Sequence, residues 1–223
     1  MNFKITLIIG NRGTGKTGTF IRQIVPEYIA RRKGQFKIGV FDLEDNYNYQ
    51  QFECLADSHF AAGRKKILTD HVHTPVPIKT REQFSKVLKG MVRVLPKGEN
   101  AGDFTRVVLK DIVYNQSINN CLIAIEDSAR FMPDNNGLDS SLRDLIINCK
   151  QRSMDVVLMF HFWSDVPPKL IKWIDEIYLH KCDESATKRK KDIAEIKLEK
   201  ILTAEHRVKA NRNRYYFERI TLN

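Results

Sequence analysis

Gly10-Asn11-Arg12-Gly13-Thr14-Gly15-Lys16-Thr17 is the stretch on which the fold turns. It satisfies the pattern G-x-x-x-x-G-K-[ST], and its setting matters more than the string. Before it runs Phe3 to Ile9 (FKITLII), a short apolar segment that ends at a glycine as a buried strand does. After it a helical pattern extends from Lys16 to about Arg32, with Phe20, Ile21, Ile24 and Val25 on the apolar side and Pro26 at a point where the helix can kink. Strand, glycine-rich turn and helix in that order let backbone N–H groups converge on phosphate oxygens, and the helix adds its positive amino end. In such a loop the lysine, Lys16, reaches the β- and γ-phosphates, and the Thr17 hydroxyl ligates Mg²⁺. Gly10, Asn11, Arg12, Gly13, Thr14, Gly15, Lys16 and Thr17 are therefore the expected binders of Mg·ATP.

Hydrolysis at such a loop requires one carboxylate to hold the magnesium and another to activate water. Cys121 to Ile125 (CLIAI) is the clearest buried strand, and Glu126-Asp127 stand at its carboxyl end. This resembles a Walker B motif with a catalytic acid beside the metal-linked one, although the usual order is Asp then Glu. By position Glu126 holds Mg²⁺ through water and Asp127 polarises the attacking water, or the two roles are exchanged. The bland alternative is that both acids end a strand and cap a helix. Asp42, Glu44 and Asp45 follow a second strand candidate, Lys37 to Phe41 (KIGVF), and either support the magnesium, position water or form a solvated loop.

Further along, the mixed segment from Asn46 to Thr80 holds Pro75 and Pro77 and reads as helix, loop and a short strand near Val76–Ile78. The pattern predicts helices over Arg81–Val94, Phe104–Tyr114 and Leu138–Gln151, the last with Leu142, Leu145, Ile146 and Cys149 at helical spacing. Asp155–Phe160 and Glu176–His180 read as parallel strands, with a short helix at Leu170–Trp173 between them. Lys188–Leu202 reads as a charged helix and Tyr215–Leu222 as a terminal strand. Strands alternating with helices imply a mostly parallel sheet covered on both faces. The expected organisation is an ATPase core over residues 1–185, with a basic helix and strand over 186–223 packed on or extending it.

The 223 residues suffice for one sizeable core. Lys and Arg number 37 against 27 Asp and Glu, a net charge of +10 that suits a polyanionic partner, nucleic acid or an acidic membrane surface, or equally a basic, soluble protein with no such partner. The cysteines, Cys54, Cys121, Cys149 and Cys182, form no C-x-x-C pair. No zinc site or disulfide framework is expected, and Cys121 and Cys149 read as small core residues in a reducing compartment. The amino-terminal stretch does not read as a signal peptide, and no segment approaches the roughly 20 apolar residues of a membrane span. A guanine-reading N-K-x-D motif is missing, and Asp134-Asn135-Asn136-Gly137 matches only the weak string D-x-x-G in a polar loop. No arginine-rich lid of the kind a small nucleotide kinase needs is evident.

Leu122-Ile-Ala-Ile-Glu-Asp-Ser-Ala-Arg-Phe131 resembles the Walker B segment of FtsK/HerA-type ATPases. In that family a helix, a basic turn and an apolar strand ending in a polar sensor follow; here these are Leu138–Cys149, Lys150-Gln151-Arg152-Ser153 and Asp155–Phe160, then His161. Phe36 to Asp42 is similar to the family's second strand, so the resemblance runs from about residue 3 to 181. It implies an α/β, RecA-like (ASCE-type) P-loop NTPase fold, a mostly parallel sheet sandwiched by helices. His161 stands where the family has glutamine, and imidazole can also donate a hydrogen bond. The resemblance makes Arg152 the candidate arginine finger supplied to a neighbouring subunit, with Arg143 the runner-up; the alternative for each is an exposed helix-end charge.

By size and layout the chain looks like the viral and phage genome-packaging ATPases of this family. That resemblance implies a homo-oligomeric ring acting on nucleic acid, double-stranded DNA in particular and without sequence preference, with a portal or capsid docking partner. The setting it implies is the host cytoplasm or the virion. The other reading is an ATP-gated phage assembly or export factor, Zot-like, that does not translocate DNA. Lys188-Arg189-Lys190-Lys191, Arg207, Lys209, Arg212 and Arg214 lie near Tyr215, Tyr216 and Phe217, as a phosphate-contacting surface would. Glu195, Glu199 and Glu205 dilute this patch, and a solvated helix face is the competing reading.

Overall fold

Each strand candidate that is apolar on both faces has to be covered on both, and the chain meets that need with one twisted sheet between two helical layers. A computed structural model describes residues 3–32, 37–42, 49, 90–94, 101–114, 118–132 and 137–222. Among these residues seven strands follow the order β3-β2-β4-β5-β1-β6-β7, where β1 is Ile5–Ile9, β2 Lys37–Phe41, β3 Gly90–Val94, β4 Leu122–Ile125, β5 Asp155–Phe160, β6 Glu176–His180 and β7 Phe217–Thr221. The first six run parallel, and β7 pairs antiparallel with β6, from Glu176 opposite Thr221 to His180 opposite Phe217.

Alternation along the central strands divides the core. Ile5, Leu7 and Ile9 of β1, Ile123 and Ile125 of β4, and Val156, Leu158 and Phe160 of β5 face one side. Helices α3 (Ala101–Tyr114), α4 (Ser140–Cys149), α5 (Pro168–Ile171) and α6 (Glu195–Ala210) place Leu109, Ile112, Leu142, Leu145, Leu170, Ile201 and Val208 in that cluster. Ile8, Leu122, Ala124, Val157 and Met159 face the other side, against Phe20, Ile24, Val25, Tyr28 and Tyr49. There the helix after the glycine-rich loop begins as α1 (Lys16–Thr19), widens to a π-helix over Phe20–Ile24 and continues as α2 (Val25–Arg31). The π-turn immediately precedes Pro26, whose missing N–H cannot extend the α-helical ladder. Among the described residues no helix is long and apolar enough to cross a membrane. Cys121, Cys149 and Cys182 are free buried thiols, all pushed up by burial, to about 12, 12 and 11.

Two expected helices differ. The end of Arg81–Val94 is strand β3, paired with β2 from Lys37 opposite Gly90 to Phe41 opposite Val94. A charged residue inside that strand is tolerated because the Arg93 guanidinium binds the Asp42 carboxylate through Nε and Nη2, at 2.8 and 2.6 Å, with both side chains buried. The expected helix Lys188–Leu202 is interrupted. A 3₁₀ turn at Ala186–Arg189 forms as Arg189 donates to the carbonyls of Trp163 and Ser164, and the helix restarts only at Glu195. Residues 81–89, the strand near Val76–Ile78, the rest of 46–80 apart from Tyr49, and Asp134–Asn136 lie outside the described residues.

Helix α6 joins the core through a carboxylate. Glu205, buried, accepts from Trp163 Nε1 (3.0 Å), the Ala186 amide (2.6 Å) and the Ser185 hydroxyl (2.7 Å). We predict that Glu205→Ala, which strands those donors, lowers the unfolding free energy by about 2–4 kcal/mol in urea titrations followed by tryptophan fluorescence. A loss below about 0.5 kcal/mol would place the anchor of α6 elsewhere.

Candidate active site

The glycine-rich loop leaves β1 at the sheet's carboxyl edge, held on both flanks. The Gly10 amide donates to the Phe160 carbonyl of β5 (3.3 Å) and the Asn11 amide to the Lys181 carbonyl after β6 (2.7 Å). Gly13 and Gly15 have φ of +75° and +95°, a region closed to most side chains. A Cβ at Gly13 would run into the Arg214 guanidinium, and one at Gly15 would lie 3.2 Å from the Tyr215 ring. The loop's curvature is braced from beneath by His180, whose Nδ1 donates to the Thr14 carbonyl at 2.9 Å. Burial lowers the His180 imidazole to about 4, the carbonyl bond opposes this and the nearby Lys16 charge adds to it, so the ring is neutral at pH 7.

Lys16 folds back onto its own loop. Its Nζ donates to the carbonyls of Gly10 (2.6 Å) and Asn11 (3.1 Å) and lies 3.0 Å from His161 Nδ1. An ammonium has no lone pair, so Nδ1 accepts and the ring proton of neutral His161 sits on Nε2. That nitrogen is 3.9 Å from Asp127 Oδ1, a gap one water can bridge. His161 occupies this place because β5 lies between the loop strand β1 and the carboxylate strand β4, and His161 immediately follows β5.

The two acids point to different neighbours. Glu126 Oε1 accepts from the Thr17 hydroxyl at 2.5 Å. Burial pushes the Glu126 carboxyl up to about 7; Asp42 adds to this, while hydrogen bonds from Thr17 and Tyr49 and the Lys16 charge oppose it. Asp127, at φ 46° in the turn that opens the 3₁₀ helix Ser128–Phe131, faces His161 and has Arg130 Nε at 3.7 Å. Left-handed backbone at a non-glycine residue is a place where strain is held at functional sites. Asp42, at the adjacent strand end, is committed to Arg93 rather than to a solvated loop, while Glu44 and Asp45 lie outside the described residues.

A cleft of about 900 Å³ joins Arg12, Gly13, Gly15, Lys16, Thr17, Glu126, Asp127 and His161 with Gly18, Thr19, Arg22, Gln23, Tyr215 and Phe217. Arg152 is elsewhere. It lies between α4 and β5 at the amino edge of the sheet, where Nη1 donates to the Ile112 carbonyl at 2.8 Å. Arg143 is on the exposed face of α4, with Nε 3.6 Å from Asp144. Sequence reading did not single out Tyr49, His180, Arg22 or Gln23, nor the placement of Arg214 and Tyr215 over the loop. Only a buried strand end at His180 gave any signal, and the others are brought in by tertiary packing.

The residues present fit a nucleoside triphosphate. The loop is curved at positions where only glycine is at ease, Lys16 supplies a cation, and the Thr17 hydroxyl stands against a carboxylate. Among the described residues no group of three His, Cys, Asp or Glu side chains could hold a metal unaided. A divalent ion at Thr17 and Glu126 would therefore share its oxygen ligands with phosphate and water, as Mg²⁺ commonly does.

No protein-family sequence model and no curated protein sequence matches the chain. Solved structures do. The genome packaging NTPase B204 from Sulfolobus turreted icosahedral virus 2, in complex with sulfate, superimposes with a TM-score of 0.68 at 14% identity, over 99% of this chain and 92% of that one. The same protein in complex with ATP-gammaS gives 0.66 at 14% identity, over 100% and 94%. VirB4 of Thermoanaerobacter pseudethanolicus gives 0.52 at 10% identity, over 88% and 83%. The chain has a P-loop NTPase fold. Among P-loop proteins it is structurally similar to a viral packaging NTPase and to VirB4, in line with its resemblance to FtsK/HerA-type ATPases.

The neutrality of His180 has a sign. Its folded value is below the ordinary 6.5, so the unfolded chain binds the extra proton and His180 costs stability as pH falls from about 6.5 to about 4. We predict that His180→Gln flattens this dependence. Stability of the native protein minus that of the variant should fall by ~2–3 kcal/mol across that window in chemical denaturation at stepped pH. A pH-independent difference would mean that the imidazole titrates normally.

Proposed function

We propose that this chain is an Mg·ATP-hydrolysing motor that moves nucleic acid into a viral or mobile-element particle as a homo-oligomeric ring. The observation that carries the reading is the division at the loop's far end, Thr17 with Glu126 and Lys16 with His161 and Asp127. That arrangement suits phosphoryl transfer to water, where catalysis is positioning and charge stabilisation. Thr17 and Glu126 would hold Mg²⁺, which would supply positive charge against the phosphates. Lys16 would exchange its carbonyl partners for phosphate oxygens. Asp127 would accept a hydrogen bond from the attacking water and take up its proton as the bond from oxygen to phosphorus forms and the ADP oxygen leaves. His161, between Lys16 and Asp127, would orient both.

Support for nucleic acid as the cargo comes from two sides. B204, similar in fold over nearly the whole chain, is named as a genome packaging NTPase and as a DNA-packaging ATPase. The net charge of +10 suits sequence-independent contact with phosphate. Arg152, remote from the loop of its own subunit, would act as the finger at a neighbour's γ-phosphate. A portal or capsid protein would dock the ring.

Lys16→Ala should abolish nucleotide binding, whereas Asp127→Asn should bind ATP with little change and hydrolyse it about 10²–10⁴-fold more slowly. Single-turnover assays beside equilibrium binding check both, and near-native turnover in Asp127→Asn would move the base to Glu126. For the motor, turnover per subunit should rise with protein concentration and rise again with double-stranded DNA at low salt. Arg152→Ala should remove the concentration dependence. A rate indifferent to DNA would turn the reading toward an ATP-gated assembly factor.

A further inference from the structure

The sheet order gives the cleft two unlike ends. Glu126 and Asp127 follow β4 and His161 follows β5, all on one side of the loop strand β1. On the other side are β6 and β7, and the turn entering β7 crosses over the loop. Its Tyr215 ring lies against Gly15 and is 64% exposed, far more than core aromatics such as Phe20 or Phe160. Phe217, which also lines the cleft, packs at a tilt on Tyr178 and His180, at centroid distances of 5.7 and 5.4 Å. The Arg214 guanidinium lies over Gly13, its Nη2 3.5 Å from the Arg12 carbonyl.

This turn is built rather than loose. The Asn211 side-chain oxygen accepts from the Asn213 amide (2.8 Å), and the Asn213 side-chain oxygen accepts from the Tyr215 amide (2.9 Å). Helix α6, which feeds it, is fastened by Glu205. An aromatic ring presented to solvent over a phosphate-binding loop offers a flat face to a heterocycle. With the terminal phosphate directed to Lys16, Glu126 and Asp127, the nucleoside end of the ligand must leave on the β6–β7 side.

We infer that Tyr215 is the stacking platform for the nucleotide base and Arg214 a phosphate contact supplied by the same chain. This rests on the reading of the cleft as a nucleotide site. Stacking reads ring area rather than edge pattern, so purine nucleotides bind more tightly than pyrimidine ones. The guanidinium, over the loop's crest, meets phosphate oxygens with more than one N–H.

Calorimetric titration with two probes, ATP and inorganic tripolyphosphate, tests the assignment without reference to turnover. Tyr215→Ala should weaken ATP on the order of tenfold and leave tripolyphosphate unchanged, the latter also showing that the loop is intact. Tyr215→Phe should restore ATP affinity, and Arg214→Ala should weaken both probes. Unchanged ATP affinity in Tyr215→Ala overturns the platform, and if single-stranded DNA binding falls instead, the ring serves nucleic acid. Loss of both probes in Tyr215→Ala also overturns it, since the ring would then be shaping the loop. If the native protein binds neither probe, the nucleotide reading itself falls, an outcome distinct from the others.

Discussion

An ammonium group brought to the rim of a parallel sheet must find acceptors without leaving the place where a ligand would meet it. Lys16 does so with two carbonyls of its own loop and one imidazole. Much else follows from that arrangement. It requires β5 beside β1, so that the residue after β5 can reach the loop. It fixes the tautomer of His161, turning the ring N–H toward Asp127. It also disfavours charge on His180 beneath the loop, so the brace holds a carbonyl without adding a second cation.

The opposite problem arises one strand away. Asp42, Glu126 and Asp127 end neighbouring strands, and burying the first two beside the third costs more than their hydrogen bonds return unless charge is supplied or removed. The fold does both. Arg93, carried in by β3, neutralises Asp42 at the sheet's edge, and Glu126 is held with a value near neutrality. Strand β3, outermost of the described parallel strands, thus has an electrostatic duty as well as a structural one: it brings a cation to the rear of the acidic row. Asp127 is less enclosed than either and stands beside a histidine.

Where the residue pattern has its own period or chemistry, the structure was legible. The loop from Gly10 to Thr17, the strand ending at Glu126 and the strand ending at His161 could all be read because apolar runs bounded by polar ends survive any tertiary setting. Arg93 misled because a basic residue in an apolar stretch looks like a helix face until Asp42, 51 residues earlier in the chain, is brought to it. The helix read through Lys188–Leu202 failed for a similar reason, Arg189 being drawn inward by two carbonyls. Arg214 and Tyr215 read in the sequence as part of a basic and aromatic surface. Their place over the loop depends on a seventh strand running antiparallel to β6, a direction that short-range pattern does not encode.

Arg214 and the Arg12 carbonyl it approaches are 202 positions apart in the chain. Contacts of such separation form late, after the loop-closure entropy between them has been offset by the sheet that joins their neighbourhoods. The glycine-rich loop comes from one stretch of the chain, and the surface that faces it from another 202 positions further on. A partly folded or clipped chain can therefore hold a well-formed sheet and still present only half a cleft. Any ligand that spans both halves binds only the finished molecule and stabilises it selectively, so occupancy becomes a check on completed assembly.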